Sequence, residues 1–466
     1  MGTFHGDSKG GAGAAGKGER PASSASSLRV GLGLWAAALA LSAGPVVLGI
    51  SNDRSAPPFY VASALLALAG SALVDRRAPL PEPDFAAAID RGAPVGLPPA
   101  PVGWRMAGAA LLLAGLAAAG LSLYLAAGRS DPPDAFWSWL FALAALPVGL
   151  NFGVRDPLHL ARPRVDAESA TVVGILLLAT ALRMSGPDSA PSQAQAGDGG
   201  HGIAAATLAE GLLSLLLLHL TARRLFPLRV AAACLFLVTV SPWHVRLSQV
   251  GFLEVQAVAA PLLLLYLLLR AVDSRRSIEY LLAGYGAGLC LTLSVGTRLA
   301  CLVALLYLLQ RATVERGFLR MQGPGLLIAA LGASIFVAPM AALHAGEPYA
   351  LLSGAAGRML PWIAAGSPPV AGDLSPDLWA RALAAPGIAM ATVRLRQPRY
   401  FLVAVGVWLP AGFALAAGGS PISGLWPAAL PFLALSTALF LEVGWRGAVA
   451  LSGAGPIAWR GTQRSC

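Results

Sequence analysis

Charged residues are scarce in this chain, at 12% of 466 residues, and the 23 acidic residues are fewer than the 33 basic ones. Hydrophobic residues reach 56%, and the mean hydropathy is +0.67. These values lie outside the range of soluble globular proteins, so they exclude a water-soluble domain and place most of the chain in lipid. Because helices satisfy their own backbone hydrogen bonds there, we predict an all-α, polytopic integral membrane protein.

Cysteine is also rare, with four in the chain. Cys234, Cys290 and Cys301 lie inside apolar stretches, and Cys466 is the last residue. This distribution excludes a disulfide framework and the paired spacing of a zinc site. We therefore predict no metal ligands from these residues. The sequence identifies no cofactor with certainty and leaves a divalent metal ion open.

Apolar runs of spanning or nearly spanning length fill most of the chain. A helix needs about 20 such residues to cross a bilayer, although flanking residues and tilt change that number. We therefore predict about 12 to 14 membrane helices. The runs are 28–50, 57–74, 106–127, 136–152, 170–184, 203–220, 225–240, 252–269, 280–294, 299–309, 324–343, 400–417 and 426–441, with 447–459 as a further candidate.

Basic residues are concentrated in alternate loops between these runs. Loops of one set carry clusters such as Arg223 and Arg224, whereas the intervening short loops carry single arginines: Arg54, Arg129, Arg183, Arg246 and Arg298. This positive-inside pattern predicts a cytoplasmic N-terminus and puts the single arginines on the outer face. It also explains the net charge of +10, so we predict membrane lipids and no nucleic acid as partners. Abundant Ala, Gly, Leu and Arg is typical of a GC-rich bacterial genome, which predicts the cytoplasmic (inner) membrane.

The chain divides into five predicted regions. Residues 1–27 are rich in Gly, Ala and Ser and form a disordered cytoplasmic tail. The others are N-terminal transmembrane hairpins at 28–169, a transmembrane core at 170–343, an outward-facing loop region at 344–399, and C-terminal transmembrane helices with a tail at 400–466. We expect the first apolar run to act as an uncleaved anchor.

Two outward loops of the core carry candidate chemistry. Asp198 lies among glycines a few residues before the chain re-enters the membrane at Ile203, a position suited to a general base. The alternative is a flexible solvated loop, and His201 is a weaker candidate beside it. The second loop, Ser241 to Gln249, carries His244 and Arg246 between two apolar runs.

This second loop suits the phosphate of a lipid carrier. If it is helical, Arg246 and Gln249 share one face at a spacing of three, and His244 and Ser248 pair at a spacing of four. Phosphate prefers charged donors in a planar fork, which arginine supplies. The alternative is that Arg246 and Trp243 only anchor a helix end to lipid headgroups.

Further polar residues lie on the same predicted face. Arg298, at the next outward turn, and Arg358, in the large loop, are additional candidates for binding phosphate, and Arg298 could instead be a membrane anchor. Glu254 and Glu347 are predicted supporting residues, together with His201 and Gln249. Three arginines and one acid on one membrane face form a site-like distribution.

Residues 170–358 resemble the bacterial membrane glycosyltransferases of the C-type fold, which use polyprenyl-phosphate sugars and include mannosyltransferases. The resemblance rests on the Asp198 loop, the turn from Thr221 to Phe226, the run from Ser241 to Glu254, the Leu282 to Leu289 span and the Thr297–Arg298 turn. It implies that Asp198 takes a proton from the acceptor. It also implies that Arg246, Arg298 and Arg358 bind the donor phosphate, and we predict His244 as a further residue in that role.

The chain departs from the family pattern at two residues and in the length of its first outward segment. Gly199 follows Asp198 where an Asp-Glu pair is usual, Gln249 follows Ser248 where arginine is usual, and the first outward segment is short. We therefore carry three hypotheses. The first is transfer of a sugar from a polyprenyl-phosphate donor to a glycan, lipid or protein acceptor. The second is a catalytically degenerate member that binds lipid-linked sugar or scaffolds envelope assembly, and the third is a transporter or flippase.

Overall fold

The fold is described from a computed structural model. The described residues are scattered positions between 29 and 69, and then 102–127, 132–154, 167–184, 200–250, 252–293, 295–343, 378–416 and 426–451. Across these ranges the regular secondary structure is α-helical and contains no strand.

From residue 102 onward, the described helices follow in chain order. They are α1 Val102–Ala127, α2 Pro132–Val154, α3 Ala167–Met184, α4 Gly200–Leu225, α5 Leu228–Thr239, α6 Pro242–Val250, α7 Phe252–Ser274, α8 Ser277–Thr292, α9 Val295–Val314, α10 Phe318–Leu343, α11 Leu378–Val393, α12 Pro398–Ala416 and α13 Trp426–Leu451.

Several of these helices are long and apolar enough to cross a membrane. Among the described residues such spans are Gly103–Leu125, Val255–Ser274, Gly296–Val314, Phe318–Pro339 and Ala428–Leu451, and shorter apolar helices are Phe136–Phe152, Leu228–Thr239 and Leu383–Val393. They confirm the predicted all-α, multi-pass membrane protein. The total of about 12 to 14 helices stays a prediction, because the runs at 28–50 and 57–74 are described only in part.

The core lies around α7, which packs against α4 and α8. The spans of α7 and α13 are mostly buried inside the protein, whereas few residues in the spans of α1 and α10 are buried. The glycines of α8 explain its close packing, as their spacing predicts. Gly284 and Gly288 lie against α10, and a Cβ at Gly286 would be 3.2 Å from the Leu264 Cα of α7.

Helix α11 is one that we did not predict from the sequence. It lies within 344–399, the range assigned above to an outward-facing loop region. Gly387 packs against the backbone of Ser436 in α13, and Met390 and Ala391 are buried. The helix has only 16 residues and contains Pro386, so its apolar run is shorter than the length on which a span is recognised.

One end of the bundle is connected by ion pairs between helices and turns. The pairs are Arg223–Glu168 at 2.6 Å, Arg224–Asp273 at 2.9 Å, Arg270–Glu279 at 2.7 Å and Arg311–Glu315 at 2.6 Å. These residues lie in the arginine-rich turns, so this is the end for which the sequence predicts a cytoplasmic location. That orientation stays a prediction.

Candidate functional site

The segment after α5 forms a short capped helix, α6. Ser241 is its N-cap residue, since the Ser241 Oγ accepts a hydrogen bond from the His244 backbone N–H at 3.2 Å. Pro242 occupies the first helical position, where its missing N–H has no cost. The sequence Ser-Pro-Trp-His therefore starts a helix at this point, and the condition stated above for pairing His244 with Ser248 is met.

A buried arginine from α3 joins both of these residues. The Arg183 Nη2 lies 2.6 Å from the His244 Nδ1, and the Arg183 Nε donates to the Ser248 Oγ at 2.8 Å. The Arg183 Nη1 donates to the Ala179 carbonyl at 2.8 Å, within its own helix. Arg183 is only 3% exposed and His244 only 1%, so these hydrogen bonds form in a region that excludes solvent. We call Arg183, Ser214, His244 and Ser248 the α6 cluster.

The chemistry of arginine fixes the state of His244. A guanidinium group donates hydrogen bonds and cannot accept them, so the His244 Nδ1 must be the acceptor and carry no proton. The proton of the neutral imidazole then lies on Nε2, which donates to the Ser214 Oγ at 3.0 Å. Ser214 in turn donates to the Gly211 carbonyl at 2.7 Å. The result is a directed chain of hydrogen bonds from α3 through α6 to α4.

Gly211 allows α4 and α6 to approach closely enough for this chain to form. A Cβ at position 211 would lie 2.8 Å from the Ser248 Cβ and 3.7 Å from the Arg183 Nε. A contact of 2.8 Å between carbon atoms is too short for real side chains, so alanine would push the helices apart. Ser248 also donates to the Val245 carbonyl at 2.8 Å. The α6 cluster is therefore both hydrogen-bonded and tightly packed.

Trp243 differs from its predicted position. The sequence suggested an interfacial aromatic residue that anchors a helix end, but the structure buries Trp243 in the main hydrophobic core with 4% exposure. The reason is the helical geometry of α6, which turns Trp243 and Leu247 to the same side, four residues apart. This apolar side fixes the orientation of α6 in addition to the α6 cluster.

Arg298 lies in the first turn of α9, and Thr297 beside it is fully buried. The Arg298 Nε donates to the Leu291 carbonyl at 2.9 Å, and the Thr297 Oγ1 donates to the Cys290 carbonyl at 2.7 Å. These bonds close the turn between α8 and α9. The direction of the chain through α7 and α8 puts this turn at the same end of the bundle as α6. The predicted phosphate-binding role of Arg298 stays a prediction.

The other predicted site residues lie outside the described residues, wholly or in their side chains. The residues Asp198, Glu347 and Arg358 are not described, and of His201, Arg246, Gln249 and Glu254 only the helical backbone is described. Their predicted roles, and that of His244 at the donor phosphate, stay predictions. Both ring nitrogens of His244 are engaged within the protein, so direct contact with a phosphate would replace one of these hydrogen bonds.

Arg183 and Ser214 are polar residues of this site that we did not single out from the sequence. Arg183 was counted only as the single arginine of an outward loop. The available signal was a cation in the last turn of a short apolar helix, immediately before the Asp198 loop. Ser214 gave no signal, since a serine in a membrane helix is common and usually bonds to its own backbone.

Comparison with known protein families gives a match over part of the chain. The sequence profile of the family described as dolichyl-phosphate-mannose-protein mannosyltransferase matches residues 194–342, which is 149 of the 466 residues. No curated protein and no solved structure matches the chain. The matched segment contains α4 to α9 and most of α10, including three of the four residues of the α6 cluster. The resemblance seen in the sequence is thus confirmed over this segment: residues 194–342 of this all-α membrane protein are similar to that family of mannosyltransferases.

Proposed function

We propose that the protein transfers a sugar from a polyprenyl-phosphate-linked donor to an acceptor at the outer face of the cytoplasmic membrane. Asp198 is the general base, and Arg246, Arg298 and Arg358 bind the donor phosphate. The acceptor is a glycan, a lipid or a protein. The family profile across residues 194–342 supports the reaction type, and the face follows from the alternation of arginines in the loops.

The proposed reaction is a displacement at the anomeric carbon. The acceptor hydroxyl oxygen forms a bond to this carbon as the bond from the carbon to the phosphate oxygen breaks. The Asp198 carboxylate takes the hydroxyl proton, and the bonding electron pair leaves with the polyprenyl phosphate. Guanidinium groups stabilise the negative charge that develops on that leaving oxygen.

The α6 cluster is the observation that carries this proposal. Position 246 lies in α6 between His244 and Ser248, and both of these are hydrogen-bonded to Arg183. The backbone that carries Arg246 is therefore fixed on both sides by a buried network. Preorganised donors stabilise developing charge without a reorganisation cost during the reaction. In this proposal Arg183, His244 and Ser214 are positioning residues for Arg246.

Two variants in one loop test the role of Asp198. We expect Asp198→Asn to lower transfer from a polyprenyl-phosphate sugar by at least about 100-fold in membrane vesicles, because it removes the general base. Asp188→Asn, a change of equal size in the same loop, should retain wild-type transfer. Equal turnover in both variants would remove Asp198 from the mechanism. Repeating the wild-type assay with a chelator and then with Mg²⁺ tests the divalent metal left open above.

The departure at Gly199 favours a second candidate function. A degenerate member would bind polyprenyl phosphate without turning over any acceptor, because the usual acidic neighbour of Asp198 is missing. Binding with a normal affinity, together with no transfer to glycan, lipid and peptide acceptors, would support this candidate over catalysis. Sugar uptake into proteoliposomes without transfer would instead support the transporter.

A further inference from the structure

The turn between α11 and α12 gathers arginines around one buried tyrosine. The guanidinium carbons of Arg394 and Arg399 each lie 5.1 Å from the centre of the Tyr400 ring. The Arg394 Nη1 also donates to the Tyr400 Oη at 3.1 Å. Tyr400 is 1% exposed, so its ring holds two cations at the edge of the core.

Arg399 is the residue of this group that points to a ligand. It is 7% exposed, and its Nη2 donates to the Gln397 Oε1 at 3.3 Å. Its Nη1 is buried and has no hydrogen-bond acceptor among the described residues. A buried guanidinium N–H group without an acceptor is costly, so the acceptor must come from outside the described protein. An anion is the acceptor that a buried cation favours most.

A third arginine adds positive charge to the same place. Arg446 of α13 lies within electrostatic range of both Arg394 and Tyr400. Its side chain is 11% exposed, and its Nε is 4.0 Å from the Glu442 carboxylate, a long distance for an ion pair. Arg446 therefore adds a third guanidinium group beside Tyr400, and an anion with several oxygens suits a group of cations of this kind. We call Arg394, Arg399, Tyr400 and Arg446 the Tyr400 cluster.

The surface beside the Tyr400 cluster is apolar. Val393 is 70% exposed, Leu395 is 37% exposed, and Trp445, next to Arg446, is 53% exposed. The Gln310 side chain donates to the Leu395 and Arg396 carbonyls at 3.2 and 3.1 Å, which fixes the turn that carries these groups. A fixed group of cations next to exposed apolar and indole side chains suits an amphiphile with an anionic head.

We propose that the Tyr400 cluster binds the phosphate group of an anionic phospholipid. The site is separate from the α6 cluster, because Gln310 and Arg298 lie at opposite ends of α9. Their separation of 12 positions in the sequence corresponds to about 18 Å along a helix. The lipid phosphate accepts from the Arg399 Nη1, and the acyl chains lie along Val393 and Leu395. The same chemistry could serve a free phosphate ion, which the experiment distinguishes.

Native mass spectrometry of the full-length protein tests this site. The wild-type protein is exposed in detergent to phosphatidylglycerol, to phosphatidylcholine and to inorganic phosphate in separate samples. We expect bound phosphatidylglycerol to exceed phosphatidylcholine, and we expect Arg399→Gln to lower the affinity for phosphatidylglycerol at least tenfold. Arg320→Gln is the matched control, since it removes an exposed arginine from the same end of the bundle; its binding should equal that of the wild type.

The other outcomes overturn the proposal. Equal binding of phosphatidylglycerol by the wild type and Arg399→Gln would show that the Tyr400 cluster is structural. Inorganic phosphate could instead bind to the wild type and prevent lipid binding there, with no such effect in Arg399→Gln. That result would assign the site to a free anion. If Arg399→Gln does not fold, Arg399→Lys retains the charge but loses the planar fork, and it should weaken phosphatidylglycerol binding without changing phosphatidylcholine binding.

Discussion

The two ends of α4 hold arginine in different ways. Near one end, Arg223 donates from its Nε and Nη2 to both oxygens of the Glu168 carboxylate, at 2.6 and 3.1 Å. Near the other end, a hydroxyl, a carbonyl and an imidazole are among the partners of Arg183. The Arg223 side chain is 38% exposed, whereas Arg183 as a whole residue is 3% exposed.

Arg223 therefore makes a peripheral contact, whereas the buried Arg183 holds its partners in defined positions. An exposed ion pair competes with water and contributes little, even when its geometry is bidentate. A buried guanidinium group loses its hydration, so each hydrogen bond that it makes is needed and has a defined direction. The end of the bundle with the buried arginine also carries Arg246 and the Asp198 loop. The family profile matches residues 194–342, which include Asp198 and Arg246, and the proposed sugar transfer takes place at this end.

Replacing each arginine with methionine should give the largest contrast. Arg183→Met leaves the His244 Nδ1 and the Ser248 Oγ without this donor in a buried region. We expect it to lower the free energy of unfolding by roughly 2–5 kcal/mol. Arg223→Met should lower it by about 0–1 kcal/mol, because its partner Glu168 can be hydrated. Equilibrium unfolding of the purified protein in mixed micelles measures both values.

The function should follow the same contrast. If Arg183 positions α6, the folded fraction of Arg183→Met should transfer sugar more slowly, whereas Arg223→Met should retain wild-type transfer per folded molecule. Arg183→Lys keeps the charge but cannot donate in three directions from one plane, so it should fall between the two. If Arg183→Met and Arg223→Met lowered the free energy of unfolding equally, the α6 cluster would not be the more stabilising of the two contacts.

Substitutions of His244 separate the two hydrogen bonds inside the α6 cluster. His244→Asn can present an acceptor near the position of Nδ1 and retain the bond from Arg183, whereas His244→Gln can reach Ser214 in place of Nε2. A hydrogen bond to a charged group is stronger than one between neutral groups. We therefore expect the asparagine variant to be more stable than the glutamine variant by about 1 kcal/mol in the same unfolding measurement. The reverse order would contradict the assigned direction of the hydrogen bonds.

The sequence predicted the features of this region that depend on local spacing. Helices can be recognised from apolar runs and caps. The alternating glycines Gly284, Gly286 and Gly288 of α8 predicted its close packing against neighbouring helices. The spacing of four between His244 and Ser248 predicted that they pair, because helical geometry alone brings them together. The structure describes both residues, and both contact Arg183.

Features that depend on distant parts of the chain could not be predicted in this way. Arg183 is 61 residues from His244 along the chain, and no local pattern indicates that α3 and α6 meet. Tryptophan is a residue type typical of membrane interfaces. Trp243 is buried because α6 packs against the core. Helix α11 is short and contains Pro386, so it could not be recognised as a membrane helix from the sequence. Its close contact with Ser436 of α13 is a tertiary feature that the local sequence does not indicate.

The smallest predicted effect concerns pH at the ion-paired end. Glu168 lies in the first turn of α3, before the apolar run, and its hydrogen bond with Arg223 lowers the pKa of the Glu168 carboxyl below its ordinary value. A lowered pKa means that the stabilisation is complete above the ordinary pKa and is lost as the pH falls through the folded value. The wild type should therefore exceed Glu168→Gln in stability by less than about 1 kcal/mol at neutral pH. This difference should begin to shrink as the pH falls below the ordinary carboxyl pKa of about 4.3. Unfolding midpoints of both proteins measured downward from pH 7 test it, and a difference that grows in acid would show that the ion pair is not its source.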